Sequence, residues 1–217
     1  MNIAIFGASG ATGTLLTQRS LAAGYEVTAL LRRPKEFALR NQVHVVEGSP
    51  FDLNSVRKTI EGADVVLSAL GANSLKKEDV LERAVPQIIA AMQETTSESK
   101  PVRRIIVLGS AGALPASLDK QPAWRRRIVQ NVVYKTFLKY PVASQISQWN
   151  NLSHSGLDWT MVMPPMLTNG AAHGRYRVDG EALPRNGSSI SRADVADFMM
   201  QQIDNPQWIK KGVYISW

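Results

Sequence analysis

The sequence contains no cysteine, which excludes disulfides, thiolate metal sites and cysteine nucleophiles together. Its three histidines, His44, His154 and His173, are too scattered to make a metal constellation, and no metal is expected. No stretch approaches the roughly eighteen apolar residues that a membrane-spanning helix needs, and no membrane partner is expected. The start, Met1 to Phe6, lacks the basic region and long apolar run of a signal peptide, so a cytoplasmic location is expected. Internal repeats and low-complexity segments are also missing.

What is present describes a globular chain. Its 217 residues, 44% hydrophobic and 20% charged, suffice for one core, and a single domain over 1–217 is expected. The net charge of +7 could attract nucleic acid, an anionic membrane or phosphorylated small molecules. The basic residues fall into short groups: Arg32-Arg33-Lys35, Lys76-Lys77, Arg103-Arg104, Arg125-Arg126-Arg127 and Lys210-Lys211. Most read as solvated faces. None sits in a helix-turn-helix, zinc-finger or RNA-binding signature, so no nucleic acid is expected.

Along the chain, apolar runs alternate with helix-compatible stretches. Ile3 to Phe6 is a strand ended by glycines, Thr12 to Ala23 a helix, and Glu26 to Leu31 a second strand, making a β-α-β unit and a parallel sheet. Strands follow at Val43–Val46, Val65–Leu67, Ile105–Leu108 and Trp159–Met163, with a last one from Gly212 to Trp217. Helices are expected at Ser55–Ile60, Asp79–Gln93, Trp124–Leu138 and Val142–His154, and from the capping box Ser191-Arg192-Ala193-Asp194 through Ile203. Pro86 should kink its helix or delay its start, and Pro141 should break the helix before it. Strands that are apolar throughout suit a sheet covered on both faces, and the fold class is a doubly wound, mostly parallel α/β sheet with a small C-terminal substrate region. Asn169 to Ser189 is the least regular part, a candidate substrate lid, and the substrate-side elements are expected mainly within 110–190.

Gly7-Ala8-Ser9-Gly10-Ala11-Thr12-Gly13 lies between the first strand and first helix. Gly7 can permit a tight turn, Gly10 can admit a pyrophosphate to the backbone, and Gly13 can permit close helix packing, while the helix start offers unpaired N–H groups. The alternative is a glycine turn serving packing alone. No G-K-[ST] ending follows, which argues against a nucleoside-triphosphate loop. Where an NAD site places an acid after the second strand, this chain has Arg32-Arg33, which favours NADP over NAD through the 2′-phosphate. Plain surface charge is the other reading of these arginines. Ala69, Leu70 and Gly71, after the fourth strand, are assigned to the cofactor as well.

With these motifs the chain resembles the atypical short-chain dehydrogenase/reductases, in particular the NAD(P)H-dependent flavin and biliverdin reductases and their NmrA-like relatives. The resemblance runs through Ile3 to Gly13, Gly24 to Arg32, Ser155 to Pro165 and Ile190 to Ala196. It implies that Ser110, after the fifth strand, lies beside nicotinamide and substrate, where its hydroxyl could orient the carboxamide. A turn serine is the alternative. It also implies that Pro164, Pro165 and Met166 border the nicotinamide side, although Met166 could equally be core.

The Tyr-x-x-x-Lys pair of ordinary short-chain dehydrogenases is replaced by Pro141 and Gln145, and Tyr134 with Leu138 fails the same test. A histidine that such reductases can carry on this helix aligns with Trp149, which disfavours biliverdin. Trp149 either stacks on a planar ring or fills the core. The resulting expectation is an NADPH-dependent reductase of free flavin or another planar acceptor such as a quinone. The alternatives are a noncatalytic dinucleotide sensor, for whose partner the Arg125-Arg126-Arg127 helix is the candidate patch, and a quinone reductase or sugar-nucleotide isomerising enzyme.

Overall fold

A computed structural model describes residues 1–71, 79–95, 100–112, 114–132 and 139–217. Lys76, Lys77, Tyr134 and Leu138 fall outside the described residues. The strands are β1 (Asn2–Phe6), β2 (Glu26–Leu31), β3 (His44–Glu47), β4 (Val65–Ser68), β5 (Arg104–Leu108), β6 (Asp158–Met163), β7 (Met166–Thr168), β8 (Arg177–Asp179), β9 (Ser189–Ser191) and β10 (Lys211–Ser216). The helices are α1 (Ala11–Ala22), α2 (Leu53–Ile60), α3 (Val80–Glu94), α4 (Ala123–Ile128), α5 (Lys139–Ser153) and α6 (Arg192–Gln201).

The main sheet has eight strands in the order β3-β2-β1-β4-β5-β6-β10-β8. Only the β10–β8 pairing within it is antiparallel. A parallel β7–β9 pair stands beside it. The first six strands follow the doubly wound order, which reverses between β1 and β4 and opens a crevice at their carboxyl ends.

Alternation along β1 divides the core into two layers. Ala4 and Phe6 join Val56, Ile60, Leu81, Ile88, Met92 and Leu152 from α2, α3 and α5. Ile3 and Ile5 join Leu16 of α1 and Val195, Phe198 and Met199 of α6 on the other face. Both faces are therefore covered, the reason these strands read as continuous apolar runs.

Pro86 does not delay the start of its helix. α3 begins at Val80, well ahead of Pro86, which stands inside the helix on its exposed side. Pro141 lies inside α5, in the first turn of its described part, and residues 133–138, where the helix before it would end, lie outside the described residues. Of the helix expected over Trp124–Leu138, α4 covers the start and a π-helical turn follows at 129–132. The irregular stretch from Asn169 to Ser189 contains β8, which sequence reading missed: its three residues are too few to show a period.

Ser191 caps α6, accepting the Asp194 N–H at 2.9 Å. Asp194 does not complete a reciprocal box. Its fully buried carboxylate accepts the backbone N–H of Gly174 at 2.8 Å and of His173 at 3.0 Å, Trp217 Nε1–H at 2.9 Å and the Ser191 hydroxyl at 2.8 Å. The His173 ring stacks on Trp217 at 4.2 Å. Burial opposes ionisation of Asp194, and the His173 and Gly174 amides, Trp217 and Ser191 outweigh it, holding the carboxyl below its usual range.

Replacing Asp194→Asn is expected to lower stability at pH 7 by about 1.5–3 kcal/mol, the scale of hydrogen bonds to a charged group. Because the folded pKa is depressed, the carboxylate's contribution is complete above its unfolded pKa of about 3.9 and is lost as pH falls through the lower folded value. Urea unfolding from pH 7 downward should show the gap between the two proteins closing below about pH 4. A constant gap would contradict the assignment.

Candidate functional site

The turn after β1 is built by a close approach of backbone to backbone. Gly7 has φ of 78°, and a Cβ there would stand 2.8 Å from the Ala69 carbonyl carbon. A Cβ on Gly13 would lie 1.9 Å from the Gly7 oxygen, so any larger residue pushes α1 off the strand end. Gly10 is different. Its amide donates to Gly7 O at 3.0 Å, and an added Cβ would meet only that oxygen, at 3.3 Å. Gly10 is exposed at the N-cap of α1, which has no side-chain cap and no acidic residue in its first turn. A helix start left open in this way favours an anion.

Three adjoining cavities run along the carboxyl ends of the strands. The first, about 660 Å³, is lined by Gly10, Ala11 and Thr12, by Ala69, Leu70 and Gly71, and by Leu108, Gly109 and Ser110, with Pro141, Ser144 and Gln145 of α5 and Arg192 of α6 among the rest. The second, about 330 Å³, shares Gly10, Ala69, Leu70 and Gly71 and extends past Ser9 to Arg32, Arg33, Pro50 and Phe51. The third, about 290 Å³, shares Ser110, Pro141 and Pro165 with the first and continues to Met166, Leu118, Val129 and Leu183. Among the described residues, the charged side chains lining the three are Arg32, Arg33, Arg125 and Arg192, with no carboxylate beside them.

At the second cavity, Arg32 is exposed and forms no ion pair among the described residues, whereas Arg33 bonds Glu36 at 3.0 Å. Phe51 was not anticipated from sequence. Its ring carries the Arg83 guanidinium at 4.1 Å, a cation–π contact that steadies the cavity wall. The only sequence signal was its place after β3, close to a sheet end.

Ser110 follows β5. The ladder to β6 continues past the strand, with Gly109 N–H on Val162 O at 2.7 Å and Ala111 N–H on Pro164 O at 2.8 Å. These bonds place Ser110 beside the Pro164-Pro165 turn. The Ser110 Oγ accepts a long bond from Gly112 N–H at 3.4 Å, which leaves its hydroxyl proton available to the cleft. Across from it, Pro141 and Gln145 occupy the α5 wall. Gln145 Oε1 accepts from Gln148 Nε2 at 3.3 Å, which also donates to Leu108 O at 3.1 Å. Ser144, buried on the same wall, donates to Glu82 at 2.7 Å.

The structure does not bring every expected residue to the cleft. Trp149 is absent from the lining of these cavities and instead packs edge-on against Trp159, centroids 5.1 Å apart. Gly212 of β10 makes room for it, since a Cβ there would fall 2.6 Å from the Trp149 ring. Of the two readings of Trp149, core filling is the one this packing supports. Pro164 is buried, its carbonyl holding Ala111, while Pro165 lines the cleft and Met166 is 68% exposed at the third cavity. Gly13 is a packing residue that shapes the loop without lining it.

The strand order, the glycine turn and the open start of α1 define a Rossmann-like nucleotide-binding fold. A family model described as NAD(P)H-binding matches residues 7–206, and the chain belongs to that family. Averufin oxidase A from Aspergillus flavus is 25% identical, over 91% of this chain and 76% of that protein. A short-chain dehydrogenase/reductase from Veillonella parvula, solved in complex with NADP, has a TM-score of 0.79 at 20% identity, covering 100% of this chain and 94% of that one. ChuY, an anaerobillin reductase from Escherichia coli O157:H7, has a TM-score of 0.77 at 19% identity, covering 100% and 97%. The fold is that of the short-chain dehydrogenase/reductases. No helix among the described residues is long and apolar enough to cross a membrane.

Gly13→Ala is expected to destabilise the fold by about 1–3 kcal/mol through overpacking at Gly7. Gly10→Ala should leave the melting temperature nearly unchanged while weakening NAD(P)H binding, because its methyl would project over the open start of α1, where an anion is favoured. Thermal melts and fluorescence titration with NADPH separate the two. Equal effects on both readouts would contradict the division of roles.

Proposed function

We propose that this chain is an NADPH-dependent reductase that passes hydride to a flat, conjugated acceptor such as a free flavin or a quinone. The observation that carries the reading is the continuity of the trough. It runs from Arg32 past the open start of α1 to Ser110, then into a mostly apolar pocket. A dinucleotide laid along it has its adenosine by Phe51, its pyrophosphate at Gly10 and its nicotinamide toward Ser110, with the third cavity left for an acceptor. Relatives named as an anaerobillin reductase and an averufin oxidase support oxidoreductase chemistry in this fold.

The residues present fit such a cofactor. Gly10 and the first N–H groups of α1 would take the pyrophosphate, and Arg32 the 2′-phosphate. Bound NADPH supplies a hydride from its dihydronicotinamide ring. Ser110 orients the carboxamide or a polar edge of the acceptor. Leu81, Leu108, Pro165 and Leu167 exclude water from the transfer path. Neither Pro141 nor the Gln145 amide is a proton donor, so the proton that accompanies hydride onto a flavin nitrogen comes from water. That arrangement suits a flavin better than a simple ketone, whose alkoxide needs a positioned acid. The same replacement also suits a dinucleotide sensor without turnover.

Arg32→Ala should weaken NADPH by about ten- to a hundredfold, the loss of one charge-assisted bond, and leave NADH almost unaffected. Equal losses for both cofactors would contradict the NADP preference. Ser110→Ala should lower turnover about tenfold, roughly 1.4 kcal/mol of transition-state stabilisation, at unchanged NADPH affinity. NADPH deuterated at one face of the nicotinamide should give a primary isotope effect when transfer limits the rate. Tight NADPH binding with no oxidation across flavins and quinones would instead establish the sensor.

A further inference from the structure

Arg125, in a run of three arginines that reads as surface charge, turns inward. It lines the third cavity and is the one charged residue of that lining among the described residues. Its Nη1–H donates to Gln121 Oε1 at 3.2 Å and its Nη2–H to Gly187 O at 3.0 Å. Gln121 is itself buried, and its amide orientation is fixed: Nε2 donates to Leu183 O at 2.8 Å and Pro184 O at 2.9 Å, while Oε1 also receives Asn186 N–H at 3.1 Å. The guanidinium is thus aimed by neutral acceptors that leave its charge uncompensated.

Its neighbours are treated differently. Arg126 faces Asp119 at 3.7 Å, and Lys120 pairs with Asp179 at 2.6 Å and Glu181 at 3.0 Å. Arg125 has no carboxylate partner among the described residues. A guanidinium has five N–H donors, and two are used here, which leaves a fork able to take a planar or tetrahedral anion. The cofactor's own phosphates belong elsewhere, at Gly10 and Arg32 in the other two cavities.

We infer that the acceptor bound in the third cavity carries an acidic substituent, a carboxylate or a phosphate, and that Arg125 selects for it. The inference rests on the reductase reading for the word acceptor, and on the geometry of Arg125 for the charge. The flat body of such a ligand would lie against Pro165, Val129 and Leu183, with its acidic arm reaching α4. Neutral molecules of the same shape would leave a partly desolvated cation without a partner, so discrimination comes from the unpaired charge as well as from the pair formed.

The test uses two matched pairs, each titrated into the full chain saturated with NADP⁺: FMN against riboflavin, and anthraquinone-2-carboxylate against its amide. The wild-type protein should prefer the anionic member of at least one pair by about ten- to a hundredfold, the value of one charge-assisted bond. The pair that shows it tells phosphate from carboxylate. Arg125→Gln should abolish the preference at unchanged NADPH affinity, and Arg125→Lys should keep part of it. Absence of preference in both wild-type pairs, or a preference that survives Arg125→Gln, would overturn the inference. Steady-state NADPH oxidation with the same compounds separates the two ideas: anion-selective binding without turnover removes the reductase and keeps the Arg125 site, whereas turnover without charge preference does the reverse.

Discussion

The start of α1 can sit over the end of β1 only because neither Gly7 nor Gly13 carries a side chain. Within that contact a single methyl on Gly13 would overlap the Gly7 carbonyl, and one on Gly7 would meet the backbone after β4. The contact fixes three things together: the direction of α1, the distance from β1 to the Ala69-Leu70-Gly71 turn, and the exposure of Gly10 at the helix start. Every cavity of the trough is bounded by at least one of the strand ends that this arrangement aligns. The parallel sheet then does the rest, since all of β1, β2, β4, β5 and β6 release their chain on the same side.

The opposite wall is held by polar contacts. Arg192 leaves the start of α6 to bond Asn169 Oδ1 at 2.7 Å, and Asp194 in the same turn gathers His173, Gly174 and Trp217. A buried carboxylate with that many donors has little freedom, so the segment after β7 is anchored at the cleft margin by the same turn of helix that lends it a cation. On the α5 side, Gln148 fastens Gln145 to the end of β5. Where related enzymes place an ionisable pair, this chain has a proline and an amide tied into a bonding chain.

Much of this was legible in the sequence, and for physical reasons. The glycine turn, Arg32 and Ser110 are each fixed by their position directly after a strand, and short apolar strands are easily found. Arg125 was not legible, because Arg125, Arg126 and Arg127 are identical in composition and only their packing distinguishes them. The groups that turn Arg125 inward, Gly187 and the loop clasping Gln121, arrive from about sixty residues away. Trp149 stayed open between two readings for a related reason. Pro141, Gln145 and Trp149 share one stripe of α5, but eight residues of helix span about 12 Å. The first two meet the cleft, while the third has already passed beneath β6 and β10. A stripe says which face is covered and says nothing of what covers it along its length.

The arginines along the trough have a kinetic side. A crevice whose charged lining, among the described residues, is arginine, between low-dielectric walls of the sheet and its helices, concentrates the positive field of a chain that already carries +7. An anionic dinucleotide is drawn toward that opening before any specific contact forms. Encounter is therefore the electrolyte-sensitive step: added salt slows the arrival of an anion by shielding its approach, and short-range contacts made after arrival respond much less.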